Sequence, residues 1–183
     1  MSALAARGAT AKAAALAAVA LAGCHRDDHL ANLEPARVAL AGYLEAWRTL
    51  DFRTMYGLTA AAALGGQTAD QYEAAANTTL LENALVASHM RYAVGDAHAE
   101  GEGARVDLSW TLPDMAIALR ETTALVKSGV AARDLLDRIA PLVTDGRIPL
   151  LPHTLVVAMV WEDARWKVDP ATMKVTTHAE AAP

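Results

Sequence analysis

Apolar residues beyond position 34 first follow the spacing of α-helices. Pro35 suits the first turn of a helix, where the N–H that it lacks would have no partner, and the pattern continues to about residue 49. Asp51 can cap a second helix over residues 52–58. Thr68 and Gln71 form a capping box, which predicts a third helix ending near residue 83. The first of these helices carries its apolar face on Leu40, Tyr43, Leu44 and Trp47.

The spacing of the apolar residues then shortens from 3.6 to two, the period of a β-strand. A strand over 86–94, a Gly- and acid-rich turn over 95–103 and a strand over 105–112 predict an antiparallel hairpin. The strand over 151–161 is apolar at both odd and even positions, which predicts a central strand covered on both faces. A turn over 162–165 leads into the last strand.

Two amphipathic helices interrupt this series of strands over residues 114–148. Helices followed by antiparallel strands indicate an α+β fold. We therefore expect N-terminal helices packed on a curved antiparallel sheet that forms a cone, with a helical insertion between two strands. This domain would span residues 35–170, and the polar, Ala-rich tail over residues 171–183 would be loose.

The first 23 residues have a composition of their own. They hold twelve alanines, two basic residues and no acid, and residues 13–21 form an apolar run. This run is too short to span a bilayer as a helix, which takes about 20 residues. A basic stretch followed by a short apolar run is the layout of a secretory signal peptide.

Leu21-Ala22-Gly23-Cys24 closes this segment and resembles the bacterial lipobox, in which an aliphatic and two small residues precede a lipidated cysteine. The resemblance implies cleavage before Cys24 and its acylation, which would tether the chain to a membrane without spanning it. Residues 24–34 would form a polar tether. His25 stands where an Asp retains many Gram-negative lipoproteins at the inner membrane, which favours the outer membrane. Because Cys24 is the only cysteine, no internal disulfide can form.

Charge and motifs restrict the function further. Beyond residue 23 the chain has 21 acidic and 14 basic residues, a net charge of −7. Such an acidic chain does not suit nucleic-acid binding, which depends on clustered Lys and Arg. The sequence also lacks the nucleophile-elbow, P-loop, GxGxxG and HExxH motifs, and we expect no cofactor.

Two segments resemble the nuclear transport factor 2-like superfamily, in particular bacterial lipoproteins and penicillin-binding-protein N-terminal domains of that fold. The first covers residues 43–56 and begins YLEAW, with Leu50 where Gly is usual. The second covers residues 155–169 and ends WEDARWKVD, with Ala164 in place of a turn Gly. An Ala with positive φ would be strained, so a different turn type is expected there. The resemblance implies the cone-shaped fold, and homodimers formed through the sheet are common in the superfamily.

The implied cone would enclose a mostly apolar pocket lined by Met90, Tyr92, Trp110 and Met159. We therefore expect an envelope lipoprotein that is not an enzyme and that binds a small apolar ligand or an envelope protein. The alternative is a small isomerase- or cyclase-type enzyme, with Tyr92 as proton donor and Asp96 as base. A buried acid within hydrogen-bond reach of Tyr92 would favour the enzyme. A third possibility is an accessory domain of cell-wall synthesis.

Two groups of polar residues have spacings compatible with metal binding. His25 and His29 are four residues apart, but nothing apolar fixes a helix there. Acidic residues between strands are more often solvated than bound to a metal. No metal site is therefore expected, including at the alternating Asp96, His98, Glu100 and Glu102.

Overall fold

The chain consists of two compact units, residues 1–32 and residues 33–183. The computed structural model describes residues 28–173. The signal segment over residues 1–23, Cys24 and the residues after 173 therefore lie outside the described part. In the first unit, the described residues include one short helix, α1 (Asp28–Ala31), within the stretch expected to be a tether.

Residues 33–173 form an α+β body with a curved, unclosed sheet of four antiparallel strands. The strands occur in the order β1-β2-β3-β4, and two α-helices lie between β2 and β3 along the chain. The helices are α2 (Glu34–Arg48), α3 (Phe52–Leu58), α4 (Ala61–Leu64), α5 (Ala69–Thr78), α6 (Leu80–His89), α7 (Met115–Lys127) and α8 (Leu135–Thr144). The strands are β1 (Arg91–Glu100), β2 (Gly103–Pro113), β3 (Leu150–Glu162) and β4 (Arg165–Val168).

The starts of α2, α3 and α5 follow the predicted capping chemistry. Pro35 lies in the first turn of α2. The Thr54 N–H donates a hydrogen bond of 3.0 Å to Asp51 Oδ1, so Asp51 caps α3. Thr68 and Gln71 exchange hydrogen bonds between side chain and backbone in both directions at the start of α5. These contacts confirm the three predicted helix starts.

The third predicted helix is longer than expected and divided in two. Thr79, with φ of −115° and ψ of 30°, interrupts the helical conformation between α5 and α6. α6 then continues to His89, so the prediction of a strand beginning at residue 86 is wrong for its first residues. α6 packs against α2, α8 and β2, and neighbours on several sides cover more than one stripe of the helix. Three consecutive residues are therefore buried, Leu85, Val86 and Ala87.

β1 and β2 form the predicted hairpin, but its turn is shorter than expected. β1 continues to Glu100, and residues 101–102 make the turn. The pairing register shifts between Val94 and Ala97, which marks a β-bulge. Gly95 lies in this bulge, where an added Cβ would stand 2.9 Å from the Cβ of Asp107 on β2. The close approach of the two strands therefore requires a residue without a side chain.

One face of the sheet is buried and the other is partly open. Val106, Leu108, Val157 and Met159 share the inner face and are almost fully buried. On the outer face of β3, Val156 is 41% exposed. The prediction of a strand covered on both faces is therefore wrong, although β3 is central, between β2 and β4. The outer face carries β-branched residues, which favour a strand by their shape even where they are exposed. Their apolar character therefore did not show that this face is buried.

The segment after α3 and the side chains of α2 hold both edges of the sheet. At the β1 edge, Arg37 donates from Nε to the Gly95 carbonyl oxygen at 2.7 Å. At the β4 edge, the Ala60 N–H donates to the Val168 carbonyl oxygen at 2.8 Å. These bonds occupy edge carbonyls that could otherwise pair with another chain.

A buried lysine adds a second link at the β4 edge. Lys167 is only 6% exposed, and its Nζ donates to the Gly57 carbonyl oxygen near the C-terminal end of α3. A cation is favourable at that end of a helix dipole. Burial, together with the charge of Arg165, lowers the pKa of Lys167 below its usual range.

A second apolar cluster joins α6 to the helices between β2 and β3. Asp114 caps α7 through its Oδ1, which accepts from the N–H groups of Ala116 and Ile117. Gly146, with φ of 73°, follows α8 as the predicted stop. Residues 114–148 therefore share a core with α6, whose buried members are Leu85, Ala118, Ile139, Val143 and Ile148.

The body extends beyond the expected boundary at residue 170. Residues Pro170–Met173 form a 3₁₀ turn after β4. Within it, Met173 is 6% exposed, and Thr172 Oγ1 accepts a hydrogen bond of 3.0 Å from the Ala158 N–H. Residues 171–173 are thus packed on β3, while the rest of the expected tail lies outside the described residues.

Leu50 and Ala164 adopt the left-handed conformation, and both stand where the superfamily that the sequence resembles usually has Gly. Asp163 and Ala164 connect β3 to β4 with φ of 51° and 58°. Positive φ at both central residues is what a type I′ hairpin turn requires, so the expectation of another turn type is wrong. Leu50, after α2, has φ of 58°. Ala164 and Leu50 therefore hold conformations that favour glycine.

Replacing the bulge glycine should destabilise the body. We expect Gly95→Ala to lower the free energy of unfolding by roughly 1–3 kcal/mol, because the new methyl would overlap the Asp107 side chain. The matched control is Gly57→Ala in α3, where a new Cβ meets no atom within 4 Å, and which should stabilise by about 0.5–1 kcal/mol. Urea unfolding of both variants measures the difference. Equal values would mean that the bulge adapts to a side chain.

Relieving the hairpin strain should have the opposite sign. We expect Ala164→Gly to raise the free energy of unfolding by up to about 1 kcal/mol, because glycine adopts positive φ without a Cβ clash. Ala75→Gly, at an exposed position within α5, should instead cost about 1 kcal/mol. Thermal unfolding of the two variants compares them, and a destabilised Ala164→Gly would contradict the strain argument.

Candidate functional site

The four side chains predicted to line a pocket do not form one cluster. Tyr92 and Trp110 are directly opposite each other on β1 and β2. Met159 pairs instead with Ala104, six residues along β2 from Trp110, which is about 20 Å of strand. Met90 lies at the junction of α6 and β1. The pairing of the strands therefore brings Tyr92 and Trp110 together and places Met159 at a distance from them.

Little accessible surface remains on the predicted lining. Met90, Trp110 and Met159 are 6%, 3% and 1% exposed, whereas Tyr92 is partly exposed. Side chains with so little accessible surface border little free space, so three of the four serve the packed core beneath the sheet.

The acid that faces Tyr92 is one that the sequence analysis did not single out. The Tyr92 hydroxyl lies 3.5 Å from Glu45 Oε2 on α2, a long distance for a hydrogen bond. Glu45 also forms a bidentate ion pair with Arg48, at 2.5 and 2.7 Å, and its side chain is 47% exposed. Hydrogen bonds from Arg48 lower the pKa of Glu45, so this carboxyl is an ion at neutral pH. Glu45 does not share the helical spacing of the apolar face of α2, so the sequence pattern carried no signal for this contact.

Asp96 is placed apart from Tyr92. It follows Gly95 at the bulge and is exposed, and four residues of strand, about 13 Å, separate it from Tyr92. Burial raises the pKa of Tyr92, and the charge of Glu45 raises it further. A phenol with a raised pKa beside an ionised, exposed carboxylate is not the arrangement of a buried donor and base.

The four tryptophans form two separate aromatic pairs. Trp47 on α2 meets Trp110 edge-on, with ring centroids 6.1 Å apart. Trp161 and Trp166 meet across β3 and β4 at 5.3 Å. The indole N–H groups of Trp47 and Trp110 are buried without a hydrogen-bond acceptor among the described residues. The two indoles are therefore buried as an edge-to-face aromatic pair.

The alternating polar residues considered for metal binding lie along β1 and in the turn that follows it. His98 Nε2 lies 4.0 Å from Asp107 Oδ2, and Glu100 pairs with Arg105. Across residues 28–173, no three His, Cys, Asp or Glu side chains come together as a metal-ligand set. His25 lies outside the described residues, and His29 lies in α1.

Two surface grooves flank α7, away from the predicted pocket. One has a volume of about 220 Å³ and lies between α6 and α7, lined by Leu81, Glu82, Leu85, Met115, Ala118, Leu119 and Thr122. The other, about 500 Å³, is more open and is lined by Ala116, Leu119, Arg120, Thr123, Ala124 and Lys127. Leu119 belongs to both grooves. In the sequence, apolar residues on more than one side of α7 indicated that some of them would stay exposed beside these grooves.

Comparison with known proteins does not assign this chain to a family. The chain matches no family model, no curated protein and no solved structure. Among residues 28–173, no helix is both long enough and apolar enough to cross a membrane.

The ionisation of Tyr92 tests the geometry around it. We expect its pKa to lie above the ordinary value of 10.0, to fall in Glu45→Gln and to rise in Arg48→Gln, because the first removes a negative and the second a positive neighbour. Titration of ring-labelled tyrosine by NMR measures these values, with Tyr92→Phe assigning the signal. A Tyr92 pKa that is the same in both variants as in the wild type would contradict the contact between Tyr92 and Glu45.

Proposed function

We propose that this chain is a lipid-anchored protein of the bacterial cell envelope whose body is a non-catalytic binding module. The observation that carries the proposal is the sequence Leu21-Ala22-Gly23-Cys24, placed directly after an apolar run that is too short to span a bilayer. Acylation of Cys24 would provide the two chains that stable anchoring needs. In a Gram-negative host, His25 favours the outer membrane.

The fold type proposed for the body is the cone of the nuclear transport factor 2-like superfamily. Helices that precede a curved antiparallel sheet agree with this type, and α7 and α8 would be its helical insertion. A second line of support is conformational. Leu50 and Ala164 occupy the two positions where that superfamily usually has Gly, and both have positive φ.

A binding role is favoured over catalysis by the distribution of polar groups. The inner face of the sheet is filled by apolar side chains, and the acid nearest Tyr92 is an exposed, ion-paired Glu45. An isomerase- or cyclase-type site needs a base shielded from water beside its donor. The surface grooves beside α7 offer more room than the packed interior, so we place binding on the exterior of the body.

Removing the lipidation site tests the anchor. We expect the wild-type chain expressed in a Gram-negative host to sediment with membranes and to carry the mass of acyl groups on a chain that begins at Cys24. Cys24→Ala should lose the acyl mass and the membrane fraction, since one apolar run of nine residues does not anchor a chain. Intact-mass spectrometry of both samples measures this. Wild-type chain of unmodified mass would contradict the proposal.

Native mass spectrometry of residues 25–183 tests the binding role separately. A small molecule retained by the folded chain would place a ligand site within the body. Chain of bare mass is expected if binding occurs at the exterior of the body and not in an enclosed site.

A further inference from the structure

Exposed apolar side chains concentrate on α6 and α7. Of the five large apolar side chains that are exposed within residues 28–173, Leu80 lies on α6, and Leu119 and Val126 lie on α7. Leu119 and Val126 are 60% and 54% exposed and are separated by two helical turns, so they share one face. Single exposed residues are ordinary, but this face also borders both grooves.

We call this face the α7 surface, defined by the groove-lining residues Ala116, Leu119, Arg120, Thr123, Ala124 and Lys127 together with Val126. Its charged members are the cations Arg120 and Lys127, and the exposed acid Glu82 lies across the adjoining groove on α6. Glu121, the acid of α7, turns away to Arg147 at 3.2 Å and is 25% exposed. On a chain with a net charge of −7 beyond residue 23, a local cationic and apolar face indicates an anionic partner.

A second copy of the chain is a poor occupant for the α7 surface. If two α7 helices packed antiparallel around a two-fold axis near Thr123, Arg120 of each copy would lie beside Lys127 of the other. Like charges at such an interface are destabilising. The charge pattern therefore favours an occupant that carries negative charge across its surface.

Chain length limits how far the body can stand from its anchor. Nine residues lead from Cys24 to Leu33, and even fully extended they span at most about 30 Å. An acylated chain would therefore keep its body close to the bilayer that holds the anchor, and the charges and apolar residues on the body's surface would decide which face meets the lipid.

We propose that the α7 surface rests on the anionic phospholipid headgroups of the membrane to which the chain is anchored, an inference that depends on the proposed acylation of Cys24. Leu119 and Val126 enter the headgroup boundary, and Arg120 and Lys127 pair with lipid phosphates. The rest of the acidic body faces away from the lipid. The anchor thus limits the distance between the body and the bilayer, and the α7 surface determines which side of the body faces the lipid.

A site-specific fluorescent probe tests this orientation on the acylated full chain. Because Cys24 is the only cysteine and is blocked when acylated, Thr123→Cys and the matched control Ala75→Cys on α5 each accept one environment-sensitive label. The chains are reconstituted in vesicles of phosphatidylcholine, with or without phosphatidylglycerol. We expect the probe at position 123 to shift to shorter wavelength with phosphatidylglycerol and to be quenched by a lipid-borne quencher, and the probe at position 75 to do neither.

Charge variants in the Thr123→Cys background test the pairing. Replacing both Arg120 and Lys127 with Gln should lower the ratio of docked to undocked chain about 30-fold, from the attraction of two cations to an anionic surface. The matched control replaces Arg91 and Arg165 on the sheet, which are also exposed, and should leave the ratio unchanged. An equal loss in both variants would mean that net charge, and not the α7 surface, determines docking.

Three outcomes would overturn the inference. The probe at position 123 could behave as the control does in both kinds of vesicle, it could shift equally with and without anionic lipid, or it could respond to protein concentration, which would indicate a protein partner. The intact mass of the same samples separates the two proposals. Unmodified Cys24 overturns the anchor and with it this inference, whereas an acylated chain without a probe shift overturns docking alone.

Discussion

The burial of α2 against one face of the sheet is the interaction on which the rest of the body depends. Leu40 and Leu44 on α2 have no exposed surface, and neither do Val106 and Leu108 on β2. Apolar burial of this kind is the dominant favourable term in folding. Because α2 also contacts β1 and β4, a single helix connects both edges of the curved sheet.

The local elements of the fold were predictable where capping and periodicity agreed. The helix starts at Asp51 and Thr68 and the alternation of β2 each depend on residues that are close in sequence. Tertiary contacts decided the places where prediction failed. Val86 lies in a helix because three neighbours surround α6, and Ala164 accepts positive φ because the register of β3 and β4 leaves two residues for the turn.

The candidate site was harder to predict because it depends on which faces remain uncovered. The alternation of β1 correctly places Tyr92 on the inner face opposite Trp110, but it cannot indicate that Glu45 approaches from another element. Similarly, amphipathic spacing identifies α7 as a helix without showing that its buried stripe is narrow. Ala118 packs toward α6 and α8, while Leu119, the next residue, is left in solvent. Sequence pattern measures how apolar a residue is, whereas exposure depends on the neighbours that the fold supplies.

The contacts at the β4 edge have a consequence for the order in which the body forms. Lys167 reaches Gly57 across 110 residues, and the Ala61 N–H donates to Glu162 across 101. A chain that leaves the ribosome, or crosses a membrane, from its N-terminus exposes α3 and α4 long before their strand exists. Closing such long loops costs entropy before any contact compensates for it. α3 and α4 therefore stay partly exposed until β4 has formed. During this interval their exposed apolar surface makes the chain prone to aggregation.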